Sequence, residues 1–267
     1  MKYSALAIDL DGTLLVGEDL PEENARALRA ARDAGMRVII ATARWKEMAF
    51  KVADIVGLTD PVIACSGAQV HLRDQDQDLF DERLPADFTQ ELFDICNANR
   101  CVATVTVQDR VLIKLDGEPD AKLMGSEMHW VPQLLAPDHG LPRIAAVQGS
   151  RAIALIRSEL QERYAEDVNI FDSIGPSGRI IITITAKRAT KGAALAAACA
   201  HMRLDTRSVI AFGDAENDLA MFRVAGAAVA MGQADDAIKQ AATIVTGRND
   251  EAGVAMAVDR LLSTGSL

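Results

Sequence analysis

No Cys-x-x-Cys pair occurs in this sequence, and no histidine lies near a cysteine at zinc-finger spacing. The four cysteines, Cys65, Cys96, Cys101 and Cys199, are expected to be plain reduced thiols of an intracellular protein rather than a disulfide framework or a zinc site. Positive charge is also in deficit. Lysine and arginine number 28 against 38 acids, a formal net charge of -10. A field of that sign repels nucleic acid and anionic membranes, which bind through lysine and arginine clusters. It does not forbid an anionic substrate, because a bound cation reverses the local sign. No apolar stretch is long enough to cross a bilayer, and Asp9 interrupts the first apolar run almost at once, which is unlike a signal peptide. A cytoplasmic protein that touches neither membrane nor nucleic acid, monomeric or weakly dimeric, is therefore expected. Internal repeats and low-complexity segments are absent as well. What remains is 267 residues of ordinary globular composition, enough to bury about three quarters of the unfolded surface without a staple.

Short runs rich in valine, isoleucine and alanine alternate with longer helical patterns. The runs span residues 5–8, 37–41, 62–64, 208–212 and 227–230, with a weaker one at 243–245; residues 21–34, 45–56 and 191–201 read as helices. Uninterrupted apolar strands separated by helices indicate a parallel sheet covered on both faces. The expected core is a doubly wound, Rossmann-like α/β domain built from residues 1–78 and 187–267. Gly35 and Gly57 fit helix stops. Residues 79–186 read differently, with longer and more nearly alternating strands. Strands at 102–107 and 111–115 flank Gln108-Asp109-Arg110, and strands at 168–174 and 179–185 flank Gly175-Pro176-Ser177-Gly178, so two hairpins are expected. Amphipathic helices at 87–98 and 151–166 would cover one face. This stretch is expected to be an inserted α+β domain.

Polar residues interrupt the apolar strands at their ends. Asp9 and Asp11 follow the first, Thr42 the second, Ser66 the third and Asp214 the fourth. In an open parallel sheet, ligands bind outside the carboxyl ends of the strands. The sharpest segment is Asp9-Leu10-Asp11-Gly12-Thr13. On an extended chain, residues two apart point the same way, so Asp9 and Asp11 would face one site while Leu10 faces the core. Gly12 opens backbone conformations closed to other residues and lets amides approach an anion. In Gly213-Asp214-Ala215-Glu216-Asn217-Asp218, the carboxylates four apart would stack on a helix. Taken alone, either segment also reads as an ordinary turn or as acidic residues near a helix N-terminus.

Carboxylates meeting a phosphate repel it, by about 4 kcal/mol per like pair at 4 Å and an effective dielectric of 20. Magnesium relieves that repulsion, since few carboxylates hold it and it bridges to phosphate oxygens. Asp9, Asp214 and the Asp11 main chain are candidate ligands, with Asp218 supporting the shell behind them. The side chains of Asp9, Asp11 and Asp214 are expected to converge around one cation. Asp9 could then attack phosphorus as a nucleophile, while Asp11 serves as acid and base, help worth typically ~10²–10⁴ in rate. Thr42, through hydroxyl and main-chain amide, and Lys191, where a helix begins, could contact the transferring group.

These residues carry a resemblance. Asp9-Leu10-Asp11-Gly12-Thr13, Thr42-Ala43-Arg44, Lys191 and Gly213-Asp214-Ala215-Glu216-Asn217-Asp218 resemble, in order, the four motifs of the haloacid dehalogenase superfamily. The insert between the second and third motifs looks like the type IIB cap of the Cof-like phosphatases, and Ser66-Gly67-Ala68 resembles that group's usual Asn-Gly-Ala. The resemblance implies Asp9 as nucleophile and Asp11 as acid and base. It further implies Thr42, Ala43, Lys191 and Asn217 about the phosphate, Arg44 and Gly67 near the substrate, and Asp9, Asp11, Asp214 and Asp218 about Mg²⁺. The sequence departs at Ala43, where the family usually has glycine, and at Ser66. Dehalogenating members lack the second aspartate, so Asp11 argues against halide displacement. A cap would shield an aspartyl-phosphate and contact the leaving group. His129 and Trp130, within the insert, are expected to pack in its interior rather than meet substrate. The function implied is a magnesium-dependent phosphatase acting on a small phosphorylated metabolite; a phosphomutase or phosphotransferase is the alternative. A phosphorylated receiver switch fits less well, since receivers lack an acid two residues after the nucleophile, and a non-catalytic binding protein would have no need of the complete set.

Overall fold

A computed structural model of the chain describes residues 2–117, 119, 128–174 and 178–267. It separates into two compact units, Met1–Phe80 with Thr190–Leu267, and Asp81–Ala189.

The first unit opens with β1 (Ala5–Ile8), whose four residues are all buried. Helix α1 (Glu22–Asp33) starts after Pro21, carries Glu22 and Glu23 in its first turn and Arg32 in its last, and buries Asn24, Ala25, Ala27, Leu28 and Ala31 on one face. The proline suits a helix start and the charges complement the helix dipole. Strand β2 (Arg37–Ala41), helix α2 (Lys46–Val56) and strand β3 (Val62–Ala64) follow, then β4 (Gln69–Leu72) and β5 (Gln77–Asp81). Neither β4 nor β5 was expected.

The second unit comprises α3 (Ala86–Ala98), β6 (Val102–Val107), β7 (Arg110–Lys114), β8 (Met128–Trp130), α4 (Ala136–His139), β9 (Ile144–Gln148), α5 (Ser150–Leu155), β10 (Val168–Ile174) and β11 (Ile180–Ala186). Beyond α5 the chain continues as a π-helical turn over Ile156–Gln161. The sheet order is β10-β11-β9-β6-β7-β8. Both expected hairpins are present. In the first, Val107 pairs with Arg110, so the turn is only Gln108-Asp109. Most of the second turn, residues 175–177, lies outside the described residues, although β10 and β11 pair along their full length. Leu92 and Phe93 of α3, Ile156 and Leu160 beyond α5, and Val105, Val147 and Ile182 of the sheet form one apolar core. His129 and Trp130 stand on the edge strand β8 and are exposed, so the interior packing expected for them is wrong. Three residues at a sheet edge, with a strand on one side only, have no interior to fill.

The chain then returns to the first unit through α6 (Lys191–His201), β12 (Val209–Gly213), α7 (Leu219–Val224), β13 (Ala227–Ala230), α8 (Asp236–Ala241), β14 (Ile244–Val245) and α9 (Gly253–Thr264). Its sheet order is β14-β13-β12-β1-β2-β3-β4-β5. From β14 to β3 the pairs are parallel, and β4 turns back antiparallel to β3. Ala5, Ala7, Ile39, Ala41 and Ala211 join one core with Leu195, Ala198 and Met221, while the alternate residues Leu6, Ile8, Ile40, Ile210 and Phe212 are buried as well. Both faces are therefore covered, which is why these strands read as unbroken apolar runs. Winding proceeds outward from β1 through β2 and β3, then restarts at β12, so the reversal falls between β1 and β12. Ligands of open α/β sheets bind at such a reversal. All four cysteines are free and buried.

Candidate active site

β1 and β12 lie side by side with Ile8 opposite Phe212, so Asp9 and Asp214 leave the sheet at one edge. The Asp9 amide donates to the Phe212 carbonyl at 3.1 Å, and its carboxylate is buried. Lys191 is the first residue of α6, whose start is capped by the Thr190 hydroxyl accepting from the Ala193 amide. The lysine side chain has no solvent exposure. Its ammonium donates to Asp9 Oδ1 at 2.5 Å and to Asp218 Oδ1 at 2.6 Å. The other Asp218 oxygen accepts from the amides of Asp214 and Ala215, at 3.0 and 3.1 Å. Asp214 accepts from the Thr13 hydroxyl at 2.9 Å. One carboxylate oxygen from each of Asp9, Asp214 and Asp218 lies within 4.8 Å of the others.

Three carboxylates thus share a buried centre with one ammonium. Burial pushes the Asp9 carboxyl well above the usual range; Lys191 offsets this only in part, and Asp218 and Asp214 add to it. Asp214 is pushed up to about 6, by burial first and by Asp218 next, against the Thr13 hydrogen bond. Burial opposes the charge of Lys191, yet Asp218 and Asp9 outweigh it and hold the ammonium protonated beyond the ordinary lysine range. The imbalance is two negative charges carried by hard oxygen donors, a set suited to a small divalent cation such as Mg²⁺.

Asp11 does not join this centre, contrary to the expected convergence of the side chains of Asp9, Asp11 and Asp214; Asp218 takes the third place. The reason is local. β1 ends at Ile8, so Asp9 and Asp11 do not lie on an extended chain. The half-exposed Asp11 carboxylate is forked by Arg44, with Nε at 2.9 and 3.1 Å and Nη2 at 2.5 Å, and Arg44 also binds Glu18 at 2.6 and 3.1 Å. Gly12 then takes φ 77, and a Cβ there would strike the Asp214 carboxylate, so glycine is required twice over. The loop that follows folds back on itself. The Leu14 and Leu15 amides donate to the Leu10 carbonyl, and Val16 and Asp19 exchange main-chain bonds at 2.9 and 3.1 Å.

Three further residues, missed in the sequence, fasten that loop. Asn24, wholly buried on α1, donates to the Leu14 carbonyl at 3.0 Å and accepts from the Ala255 amide at 3.0 Å. Asn249 donates to the Leu15 carbonyl at 2.8 Å. Gln233 donates to the Gly12 carbonyl and accepts from the Asn249 amide. The signal for Asn24 is a polar residue on the apolar face of α1.

Thr42 is buried after β2. Its amide donates to the Ile63 carbonyl at 2.9 Å, so the amide expected to meet phosphate is already used. Its hydroxyl oxygen accepts from the Arg44 amide at 3.1 Å and keeps its own proton to donate. The Ala43 amide has no acceptor among the described residues. Asn217 lies in a short 3-10 turn over Glu216–Asp218, half-buried, and its side chain makes no hydrogen bond among the described residues. Gly67 is buried against the main chain of Thr190 and Lys191, where a Cβ would collide. Ser66 beside it is held at φ 55, donates its amide to the Thr42 carbonyl at 2.9 Å, and keeps its buried hydroxyl without a partner among the described residues.

The family model of haloacid dehalogenase-like hydrolases matches residues 6–258. A 5-amino-6-(5-phospho-D-ribitylamino)uracil phosphatase of Bacillus subtilis, YwtE, is 30% identical over 97% of this chain and 98% of its own. The pyridoxal phosphate phosphatase YbhA of Escherichia coli is 27% identical over 96% and 97%. A solved sugar phosphatase of haloacid dehalogenase subclass IIB superposes with a TM-score of 0.79 at 22% identity, covering 97% of this chain and 98% of that one, a likeness of fold. Among the described residues, no helix is long and apolar enough to cross a membrane.

Proposed function

The chain belongs to the haloacid dehalogenase-like hydrolases, and from that premise we propose that it is a Mg²⁺-dependent phosphatase whose nucleophile is Asp9. It is an enzyme of the phosphoric monoester hydrolase class, as its relatives are. The observation that carries the mechanistic reading is the buried Asp9 carboxylate, held by Lys191 beside Asp214 and Asp218 at the reversal of the sheet.

Asp9, Asp214 and Asp218 would hold the ion. When bound, Mg²⁺ supplies positive charge that draws a phosphate into an acidic site and stabilises the charge that develops on its oxygens. Lys191 orients the Asp9 carboxylate so that one oxygen faces phosphorus. That oxygen attacks, a carboxyl oxygen to phosphorus bond forms, and the ester bond to the leaving alcohol breaks. Asp11, released from Arg44 and protonated, gives its proton to the departing oxygen. It then takes a proton from the water that attacks the aspartyl-phosphate, freeing inorganic phosphate and restoring Asp9. The Thr42 hydroxyl and the Ala43 amide are donors suited to the transferring oxygens, and Asn217 is assigned to the same group. Arg44 and Gly67 are assigned to the substrate side, Arg44 by its charge and Gly67 by the position it gives Lys191.

The substrate is a small phosphomonoester, a sugar phosphate or a similar metabolite. The test is phosphate release from a panel that includes phosphorylated ribitylaminopyrimidines, hexose phosphates and pyridoxal phosphate, with Mg²⁺ and with EDTA. Turnover should require the ion and vanish in Asp9→Asn. A fully active Asp9→Asn protein removes the nucleophile assignment. Isomerised substrate without free phosphate identifies a mutase instead.

A further inference from the structure

The second unit holds a cavity of about 710 Å³ that none of the candidate active-site residues line. It lies among Val102 of β6, Gln148 of β9, Ile180 of β11 and the first two turns beyond Gly149. The volume falls within the ~300–1,000 Å³ common for small-molecule sites. Its wall is mostly apolar, with Val102, Ile153, Ala154 and Ile180, and Ile180 is half exposed although it starts a strand.

Charge at this cavity is opposite in sign to that of the chain. Arg100, Arg157 and Arg179 line it together with one carboxylate, Asp116. Arg157 is matched by Asp172 at 2.5 Å, and Arg100 lies 3.4 Å from Asp116. Arg179 pairs with no carboxylate among the described residues. Behind Cys101, also in the lining, sits the buried ammonium of Lys114, 3.7 Å from the sulfur. Lys114 donates to the carbonyls of Asn99 and Cys101, at 2.9 and 3.5 Å, and to no carboxylate among the described residues. Four cations therefore gather about two carboxylates in a protein of net charge -10. Positive charge in excess beside an apolar wall favours a ligand with one anionic end.

We propose that this cavity binds a small amphipathic anion, with an apolar or aromatic body against Val102, Ile153 and Ile180 and a carboxylate, sulfonate or phosphate beside Arg157 and Arg179. All of its lining residues belong to the second unit and none is a candidate metal ligand, so its occupancy is measurable in EDTA. A cationic ligand is disfavoured by Arg100 and Arg179, and a neutral one gains nothing from them.

The probe is anilinonaphthalene sulfonate, an aromatic body with one anionic group, titrated into the full-length protein in EDTA and followed by fluorescence. One saturable site per chain is expected, weakened by added salt. Arg179→Glu exchanges an attraction for a repulsion at an exposed position and should weaken binding about tenfold or more without lowering the melting temperature. Ile153→Trp fills the cavity and should remove the site; its folding is checked by the same melt, and Arg179→Glu decides the matter if it unfolds. Uncharged phenylnaphthylamine should bind at least about tenfold more weakly than the sulfonate. Binding that does not saturate, that ignores Arg179→Glu, or that is equal for the neutral dye overturns the proposal.

Discussion

Asp214→Asn separates stability from function at the acidic centre. Asparagine keeps the shape of the side chain and the oxygen that accepts from Thr13, but removes one of three clustered negative charges. In the cation-free protein, burial and Asp218 push the Asp214 carboxyl from 3.8 to about 6. Each pH unit of displacement corresponds to about 1.36 kcal/mol, so two units destabilise the folded state by about 3 kcal/mol at pH 7.5. The sign follows from a folded pKa above the unfolded one. Below about pH 4 the group is protonated in both states and costs nothing; between about 4 and 6 the cost grows to its full value and persists above. In EDTA at pH 7.5, Asp214→Asn should therefore be more stable than the parent, by about 2–3 kcal/mol, and by roughly half as much at pH 5. Magnesium should erase that difference. An ion at a hundred times its dissociation constant stabilises the folded state by about 2.7 kcal/mol, and the variant, with a ligand missing, should gain little. Urea unfolding of both proteins with EDTA and with Mg²⁺, at the two pH values, measures the stabilities under all four conditions. If the variant is the less stable one in EDTA at pH 7.5, or if Mg²⁺ stabilises both proteins equally, the electrostatic account of the centre is wrong.

Other substitutions probe the neighbouring groups. Lys191→Met removes the one cation of the buried cluster and leaves Asp9 and Asp218 without an ion-pair partner; a loss of about 3–5 kcal/mol in urea unfolding is expected, with turnover abolished. Asn24→Ala strands the Leu14 carbonyl and the Ala255 amide inside the protein; about 2–4 kcal/mol should be lost in the same assay, and kcat should fall as the loop after Asp9 loosens. Arg44→Ala frees the half-exposed Asp11; stability should stay within about 1 kcal/mol of the parent. Since Asp11 acts only after leaving Arg44, kcat should change little, while KM should rise about tenfold from the loss of a cation on the substrate side.

The core was legible because its strands are buried on both faces. Ala5–Ile8, Arg37–Ala41 and Ala227–Ala230 carry no alternation, and a parallel sheet under two helical layers is what such runs require. The edge strands β4 and β5 were not legible for the complementary reason. Gln69 and His71 are polar yet buried, both bonded to Asp78 of β5, so the apolar pattern that marks a strand is missing there. β8 and β9 escaped differently. β8 has three residues, and β9, though central to its sheet, is a five-residue run with alanine at two positions and no hairpin turn beside it to announce it.

At the site, strand ends were readable and side-chain directions were not. That Asp9, Asp214 and Lys191 meet follows from the order of strands, since β1 and β12 must be neighbours where the winding reverses and α6 leads directly into β12. The direction of Asp11 depends instead on where β1 stops. A strand running on to Asp11 would have aimed it with Asp9, but β1 stops at Ile8 and Arg44 captures the carboxylate. Asp218 shows the opposite case. Its helical spacing from Asp214 suggested a supporting role, and the turn at Glu216–Asp218 sends one of its oxygens to the Asp214 and Ala215 amides and the other to Lys191. The same carboxylate therefore fixes the loop that carries Asp214 and anchors the lysine that holds Asp9. Neutralising it in Asp218→Asn should loosen both at once, so its effects with Asp214→Asn on Mg²⁺ binding should be far from additive, whereas two independent ligands would give the sum of the single losses.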